Sequence, residues 1–165
     1  MSLTVRHATI QDMPGVLEIV NHEILHTTSI WDYDERTLEE QELIFKDKKE
    51  KDFPFIVGED NGKIVAFGTY GPFRFKQGYK FTVEHSLYVH KDFIGNGIGA
   101  IILKGLIALA KGQKLHSMIG VIDAENEGSI YFHEKLGFSK NGHLEETGYK
   151  FGRWLDSVFM QLILE

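Results

Sequence analysis

The sequence predicts an α+β fold, an α/β/α sandwich on a mixed, mostly antiparallel sheet of about seven strands. Two apolar runs, residues 53–58 and 63–70, flank Asn61 and Gly62, and Asn-Gly in that position is a strong signal for an antiparallel hairpin. Residues 82–107 predict a strand, a glycine-rich loop and then an amphipathic helix. The whole chain then has the order β-α-α-β-β-β-α-β-α-β-β, with one crossover in its middle.

Two capping boxes predict where the first two helices begin. A short strand at residues 4–8 precedes the first box, residues 9–12 (Thr-Ile-Gln-Asp). The second box, residues 37–40 (Thr-Leu-Glu-Glu), begins a helix that we expect to end near Lys46, before a solvated charged run at 47–52. The predicted buried side of the first helix comprises Met13, Val16, Leu17, Val20, Ile24 and Leu25.

The second half of the chain alternates helices and strands. The helix after the glycine loop is expected to stop at Gly112, and a buried strand follows at residues 117–122. A short helix from Asn126 or Glu127 to Leu136 precedes two closing strands at 138–146 and 154–164. The predicted buried side of the central helix comprises Ile98, Ile101, Ile102, Leu106 and Leu109.

The composition argues against several classes of protein and of active site. The 165 residues suit one domain, residues 1–165, and the net charge of −6 without a basic stripe argues against nucleic-acid binding. The sequence has no cysteine, which excludes disulfides, thiolate metal sites and a cysteine nucleophile. Because we find neither a secretory signal nor a run of membrane-spanning length, we expect a cytoplasmic enzyme with no membrane partner.

The loop between the central strand and helix carries three glycines, Gly95, Gly97 and Gly99, and is typical of a phosphate cradle. A P-loop would need a lysine that this loop lacks. The spacing of Gly95, Gly97 and Ala100 fits a dinucleotide fingerprint, but residues 91–94 separate the strand from the first glycine. The third interpretation is a site for the pyrophosphate of coenzyme A.

One further motif points elsewhere. Residues 22–26 (His-Glu-Ile-Leu-His) match H-E-x-x-H, in which two histidines on one helix face bind zinc and the glutamate acts as base. A zinc hydrolase would need a third ligand, and no nearby element supplies an obvious one. We therefore expect no metal.

Two segments together resemble the GCN5-related N-acetyltransferases (GNAT). Residues 94–99 (Ile-Gly-Asn-Gly-Ile-Gly) resemble the family's glycine motif, although Ile94 stands where Gln or Arg is usual. Residues 126–138 resemble its second signature, with His133 at the usual tyrosine position and Tyr131 two residues earlier. The resemblance implies the GNAT fold, acetyl-CoA as co-substrate, and binding by Leu87, Tyr88, Val89, Gly95, Asn96, Gly97, Ile98, Gly99, Ala100 and Asn126.

Further segments along nearly the whole chain resemble the phosphinothricin N-acetyltransferase subgroup. They include residues 82–89 (Thr-Val-Glu-His-Ser-Leu-Tyr-Val) and 148–156 (Gly-Tyr-Lys-Phe-Gly-Arg-Trp-Leu-Asp). The resemblance implies acetylation of the α-amino group of phosphinothricin, methionine sulfoximine or methionine sulfone. It also implies a homodimer and a V-shaped gap between the two central strands, where the acyl group sits.

Chemistry then suggests roles for single residues. Only a neutral amine attacks a thioester, and Glu84 is the candidate base, directly or through water, with His85 as the second choice. The backbone N–H near Tyr88 or Val89 is expected to stabilise the oxyanion. His133 or Tyr131 would protonate the departing thiolate, and the candidate substrate-binding residues are Trp31, Phe73, Arg74 and Glu84.

Two other functions remain open at this point. One alternative is an acetyltransferase for peptide N-termini or polyamines. The other is a coenzyme A-binding protein without catalysis. Arg74 favours an acceptor with a carboxylate, because guanidinium and carboxylate groups form paired hydrogen bonds.

Overall fold

A computed structural model describes residues 2–165, which form a seven-stranded sheet with helices on both faces. The strands are β1 (Leu3–His7), β2 (Phe55–Asp60), β3 (Lys63–Pro72), β4 (Thr82–Val89), β5 (Ser117–Asp123), β6 (Ser139–Lys150) and β7 (Arg153–Ile163). The helices are α1 (Met13–His26), α2 (Leu38–Glu50), α3 (Ile98–Gly112) and α4 (Glu127–Lys135).

The strand order is β1-β2-β3-β4-β5-β7-β6. Every neighbouring pair is antiparallel except β4 and β5, which run parallel with α3 as the crossover between them. The predicted fold class and element order are confirmed. Of the helices in residues 2–165, none combines the length and apolar content that a bilayer crossing requires.

Local sequence signals place the first elements as predicted. The two side-chain bonds of a capping box occur between Thr9 and Asp12 and between Thr37 and Glu40. Asn61 and Gly62 adopt φ values of 50° and 81°, so both lie in the left-handed region that a tight two-residue hairpin needs.

The helices bury two separate layers of core. Helices α1 and α2 cover one face of the sheet with a cluster around Met13, Val16 and Phe67, and α3 and α4 cover the other with a cluster around Ile102 and Leu106. Both faces of the central strands are therefore enclosed, as an α/β/α sandwich requires.

Two predicted helix faces are wrong in part. Leu25 on α1 is 42% exposed and Ile101 on α3 is 47% exposed, whereas Ile19 and Leu103 are buried. Apolar spacing alone leaves the rotation of a helix undetermined within about one residue, and packing on the sheet decides it.

Two predicted boundaries are also wrong. Helix α2 continues to Glu50, because the charged run forms helical i, i+4 ion pairs such as Lys51–Asp47 at 2.8 Å. Strand β6 continues to Lys150 after a bulge, and its register against β7 shifts between Leu144 and Gly148. The predicted end at Glu146 falls in that bulge, where this residue has a φ of 49°.

Strands β4 and β5 are hydrogen-bonded partners over only three residues each, from the Thr82–Ser117 pair to the Glu84–Ile119 pair. Both strands continue beyond that point, to Val89 and Asp123 respectively. A V-shaped gap therefore opens in the middle of the sheet, as expected from the family resemblance.

The close approach of α3 to β3 requires glycine at position 68. A Cβ there would lie 2.6 Å from Ile102 Cγ2 and 2.9 Å from Leu106 Cδ1. We predict that Gly68→Ala lowers the free energy of unfolding by about 1–3 kcal/mol in a denaturant titration, because the core cannot take the extra methyl without shifting. Gly78→Ala is the matched control, since a Cβ there meets nothing within 4 Å. Equal stability of the two variants would contradict this packing.

Candidate active site

A cavity of about 940 Å³ passes through the gap between β4 and β5. One half is lined by the glycine loop, the start of α3 and the start of α4. The other half is lined by the C-terminal part of α1 and by Thr27, Thr28 and Ser29 after it. The gap thus connects the two faces of the sheet, so two ligands that approach from opposite sides can meet there.

The glycine loop forms an open cradle at the first half of the cavity. Gly95 and Gly97 have φ values of 89° and 75°, and a Cβ at either position would meet no protein atom within 4 Å. Gly97 caps α3, so the unpaired N–H groups of the first helical turn face the cavity together with the positive end of the helix dipole. This arrangement suits a phosphate group.

Nine of the ten residues predicted to bind the cofactor line this cavity. The exception is Asn96, whose side-chain amide instead donates to the Phe93 carbonyl oxygen at 3.1 Å and braces the loop. Asn126 caps α4, where its Oδ1 accepts from the Ser129 N–H at 3.0 Å. Ile94, the departure from the family motif, is 66% exposed beside the cavity.

Two buried histidines meet where the gap begins. His133 Nε2 lies 3.0 Å from His85 Nε2, and His133 Nδ1 lies 2.7 Å from the Ser129 carbonyl oxygen. A carbonyl only accepts, so His133 carries its proton on Nδ1 and accepts at Nε2 from the N–H of His85. Among residues 2–165, His85 Nδ1 is the one buried side-chain nitrogen or oxygen without a partner.

Both histidines are neutral at neutral pH. Burial, with a smaller contribution from His133, lowers the pKa of His85 to about 3. Burial also lowers the pKa of His133, although the bond to Ser129 opposes that effect. His133 therefore faces the cavity with its one proton bonded to a backbone carbonyl, and its delivery of a proton to sulfur would require that bond to exchange.

Tyr131, the other predicted acid, does not lie in the cavity. Its side chain is 58% exposed on the outer side of α4, with the Lys135 ammonium 4.9 Å from its ring centroid. Residues two apart on a helix project in nearly opposite directions, so Tyr131 and His133 cannot both face the same site.

Glu84 lies on the face of β4 that α1 and α2 cover, opposite His85, as strand alternation predicts. The residue is exposed and does not line the cavity, and the surrounding protein raises the pKa of its carboxyl by removing part of its hydration. Lys48 and Arg74 oppose that rise, so both cations are near this carboxylate. Arg74 stacks over Phe73, 5.4 Å from its ring centroid.

Trp31 also lies outside the cavity lining. Its indole N–H donates to the Thr28 carbonyl oxygen at 2.7 Å, and its ring packs against Gly148 of β6, where a Cβ would come within 2.3 Å of it. Trp31 therefore fixes the loop after α1, whose Thr27, Thr28 and Ser29 do line the cavity.

The structure adds polar residues that the sequence did not single out. Lys150 is buried and its ammonium donates to three carbonyl oxygens, those of Ile24 at 2.6 Å, Thr27 at 2.7 Å and Ile30 at 2.5 Å. The Thr28 hydroxyl donates to the Asp123 carboxylate at the end of β5. Both contacts join residues about a hundred positions apart, so no local pattern reveals them.

The histidines of the H-E-x-x-H motif face each other, with ring centroids 5.0 Å apart. Within residues 2–165, no group of three or more His, Cys, Asp or Glu side chains converges as a metal site would require. His22 and Glu23 line the cavity instead.

Comparison with known proteins places the chain in a family. The model of the acetyltransferase (GNAT) domain matches residues 5–159, so the chain belongs to the GNAT acetyltransferases and is an acyltransferase.

Two relatives indicate which subgroup of the GNAT acetyltransferases the chain resembles. The L-methionine sulfoximine/L-methionine sulfone acetyltransferase of Pseudomonas aeruginosa is 39% identical over 100% of this chain and 96% of its own length. A phosphinothricin N-acetyltransferase of Alcaligenes faecalis is 33% identical over 96% of this chain and 81% of its own length. The resemblance to that subgroup is confirmed.

Solved structures agree with the fold. An acetyltransferase from Salmonella typhimurium with its cofactor acetyl-CoA superposes with a TM-score of 0.97 at 36% identity, over 100% of this chain and 95% of that one. A structure from Brucella melitensis described as a ribosomal-protein-alanine N-acetyltransferase superposes with a TM-score of 0.96 at 40% identity, over 98% and 99%.

The cradle can be tested at Gly97. We predict that Gly97→Ala raises the KM for acetyl-CoA about tenfold, because the methyl group projects into the cradle and the residue holds a left-handed φ. The KM for the acceptor should not change, since Gly97 belongs to the other half of the cavity. Gly112→Ala, at the far end of the same helix and in open space, is the control for steady-state kinetics. An unchanged KM for acetyl-CoA would rule out this cradle.

Proposed function

We propose that this chain is an acetyl-CoA-dependent N-acetyltransferase that acetylates the α-amino group of a small amino-acid-like acceptor. The acceptors are of the methionine sulfoximine, methionine sulfone or phosphinothricin type. The observation that carries the proposal is the cavity through the sheet, with a phosphate cradle in one half and a polar pocket in the other. Transfer is direct within a ternary complex, because both substrates reach the one cavity, and the absence of cysteine is consistent with a reaction that needs no acyl-enzyme.

The coenzyme half of the site acts by holding acetyl-CoA in position. The glycine loop holds the pyrophosphate, and the thioester lies in the gap between β4 and β5. The N–H of His90 donates to Val65 of β3, and successive N–H groups of a strand alternate in direction. The N–H of Val89 therefore points into the gap, and it is the donor we assign to the oxyanion of the tetrahedral intermediate.

Proton transfer completes the reaction. The amine loses its proton to Glu84 through a water molecule, because Glu84 is close to the gap but does not line the cavity. The neutral amine attacks the thioester carbon, and the nitrogen of the tetrahedral intermediate loses its second proton as the C–S bond breaks to give the amide and the departing sulfur. The sulfur takes this proton, and His133 is the cavity residue that we assign to transfer it, once its bond to the Ser129 carbonyl has exchanged.

Thiol release from acetyl-CoA across a panel of amines tests this function. The panel holds methionine sulfone, methionine sulfoximine, phosphinothricin, ordinary amino acids, spermidine and short peptides. Turnover selective for the first three supports the proposal. Turnover of spermidine or peptides alone would contradict the acceptor class, and no turnover despite acetyl-CoA binding would favour a non-catalytic protein.

A second candidate is acetylation of peptide N-termini. It is favoured by the similarity to the Brucella melitensis structure, which is described as a ribosomal-protein-alanine N-acetyltransferase. An N-terminal peptide differs from a free amino acid in having no α-carboxylate on its first residue. Peptide turnover that does not depend on Arg74 would identify this second function.

Glu84 is predicted to control the acidic limb of the pH profile. Because its pKa is raised, kcat/KM should fall as the pH drops through that raised value, where the base becomes protonated. Glu84→Gln should lower kcat/KM by about a hundredfold and abolish that limb. Glu145→Gln, an exposed carboxylate on β6, is the control. An acidic limb that survives in Glu84→Gln would exclude Glu84 as the base.

Arg74 is predicted to bind the acceptor's α-carboxylate. Arg74→Ala should raise the KM for amino-acid acceptors about tenfold or more and leave the KM for acetyl-CoA unchanged, since a charge-assisted bond is lost on one ligand only. Lys76→Ala, in the same exposed loop, is the matched control. Equal KM values for the acceptor in the two variants would show that Arg74 does not bind the acceptor.

The functional unit that we propose is the whole chain, residues 1–165, as one acetyltransferase domain acting as a homodimer in the cytoplasm. Exposed aromatic residues support an interface: Phe75 is 95% exposed, Trp154 60% and Phe151 57%. Light scattering coupled to size exclusion would give twice the mass of 18.9 kDa for a dimer, and a monomer mass would refute it.

A further inference from the structure

The acceptor half of the cavity contains a buried carboxylate with unused capacity. Glu23 is 8% exposed and lines the cavity. One oxygen, Oε2, accepts from the Thr27 hydroxyl at 2.7 Å, and within residues 2–165 no Lys, Arg or His forms an ion pair with Glu23. The other oxygen, Oε1, has no hydrogen-bond partner within residues 2–165 and opens to the cavity, where a ligand can supply a donor.

A nearby cation, Lys150, forms no hydrogen bond with this carboxylate. Lys150 and Glu23 are close enough for Glu23 to raise the pKa of the lysine, but burial lowers that pKa by more. The three protons of the ammonium are already donated to the carbonyl oxygens of Ile24, Thr27 and Ile30. Lys150 therefore balances the charge at a distance and leaves the second carboxylate oxygen of Glu23 free to accept.

Glu23 lies where the side chain of an amino-acid acceptor is expected to extend. Glu23 is near Tyr88 of β4, whose pKa is raised to about 12 by burial and, secondarily, by the Glu23 charge. Tyr88 and Glu84 lie on the same face of β4, four residues and about 13 Å apart. An amino acid whose carboxylate binds Arg74 and whose amine lies at the thioester, between Glu84 and the Val89 N–H, would extend its side chain toward Tyr88 and Glu23.

We infer that Glu23 is a specificity-determining residue that accepts a hydrogen bond from the acceptor's side chain. The inference rests on the proposed function, because it assumes an amino-acid acceptor in this half of the cavity. A carboxylate only accepts, so Glu23 favours side chains that end in a donor group, such as the N–H of a sulfoximine. It disfavours side chains that end only in acceptor oxygens, such as a sulfone.

Methionine sulfoximine and methionine sulfone are a matched pair for the test, since they differ by N–H in place of one oxygen. We predict that the wild-type kcat/KM is about tenfold higher for the better sulfur diastereomer of the sulfoximine than for the sulfone. Glu23→Gln keeps the shape and can still accept from Thr27, but its amide also donates. The ratio of the two kcat/KM values should therefore fall to about one in this variant.

The control is Glu39→Gln, which removes the same charge from the exposed start of α2 and should keep the wild-type ratio. A wild-type ratio near one would overturn the inference and leave the function standing, without need of a variant. If Glu23→Gln lowers kcat/KM equally for both acceptors, the inference is also overturned. That result would show that Glu23 acts at the reacting amine or stabilises the folded protein. If wild type acetylates neither compound but acetylates other amines, the acceptor class fails, and the inference fails with it.

Discussion

The separation of β4 from β5 after the Glu84–Ile119 pair is the feature on which the rest of the structure depends. Two parallel strands that continue without pairing leave N–H and C=O groups that need other partners. Here these groups line a cavity that a ligand can enter from either face of the sheet. A binding site for two substrates is therefore created by stopping a ladder of hydrogen bonds, without any insertion into the fold.

The start of the gap is filled by side chains on the face of the sheet that α3 and α4 cover. Gly120 of β5 leaves room there, since a Cβ would lie 2.8 Å from His85 Nε2 and 3.1 Å from His133 Nε2. The two neutral rings stack with centroids 5.0 Å apart, and Phe138 packs against both edge-on. Because the bond to Ser129 fixes the His133 tautomer, the polar atoms at this point of the cavity are defined before any ligand binds.

Much of the fold and of the coenzyme half of the site could be predicted from the sequence, because the signals there are local. Capping boxes, an Asn-Gly turn and a glycine loop each act over a few residues and need no knowledge of tertiary packing. The predicted rotation of α1 and α3 is wrong at Leu25 and Ile101, because packing on the sheet decides which side of a helix is buried. Helical geometry alone would have separated Tyr131 from His133.

The acceptor half depends on contacts between distant parts of the chain. Lys150 reaches the carbonyl of Ile24 across 126 positions, and Thr28 reaches Asp123 across 95. Neither Lys150 nor Thr28 belongs to a local sequence pattern that would indicate such a partner. In the sequence, Glu23 belongs to the H-E-x-x-H motif and to a segment, residues 20–24, that resembles the phosphinothricin subgroup, and neither pattern predicts its burial beside the cavity.

In the proposed reaction, both substrates occupy the one cavity together before the acetyl group moves. Initial-rate kinetics with acetyl-CoA and methionine sulfoximine varied against each other test it most directly. We predict double-reciprocal plots that intersect, as sequential addition to a ternary complex requires. Parallel lines, together with release of coenzyme A before the acceptor is added, would show an acetylated enzyme intermediate and contradict the account.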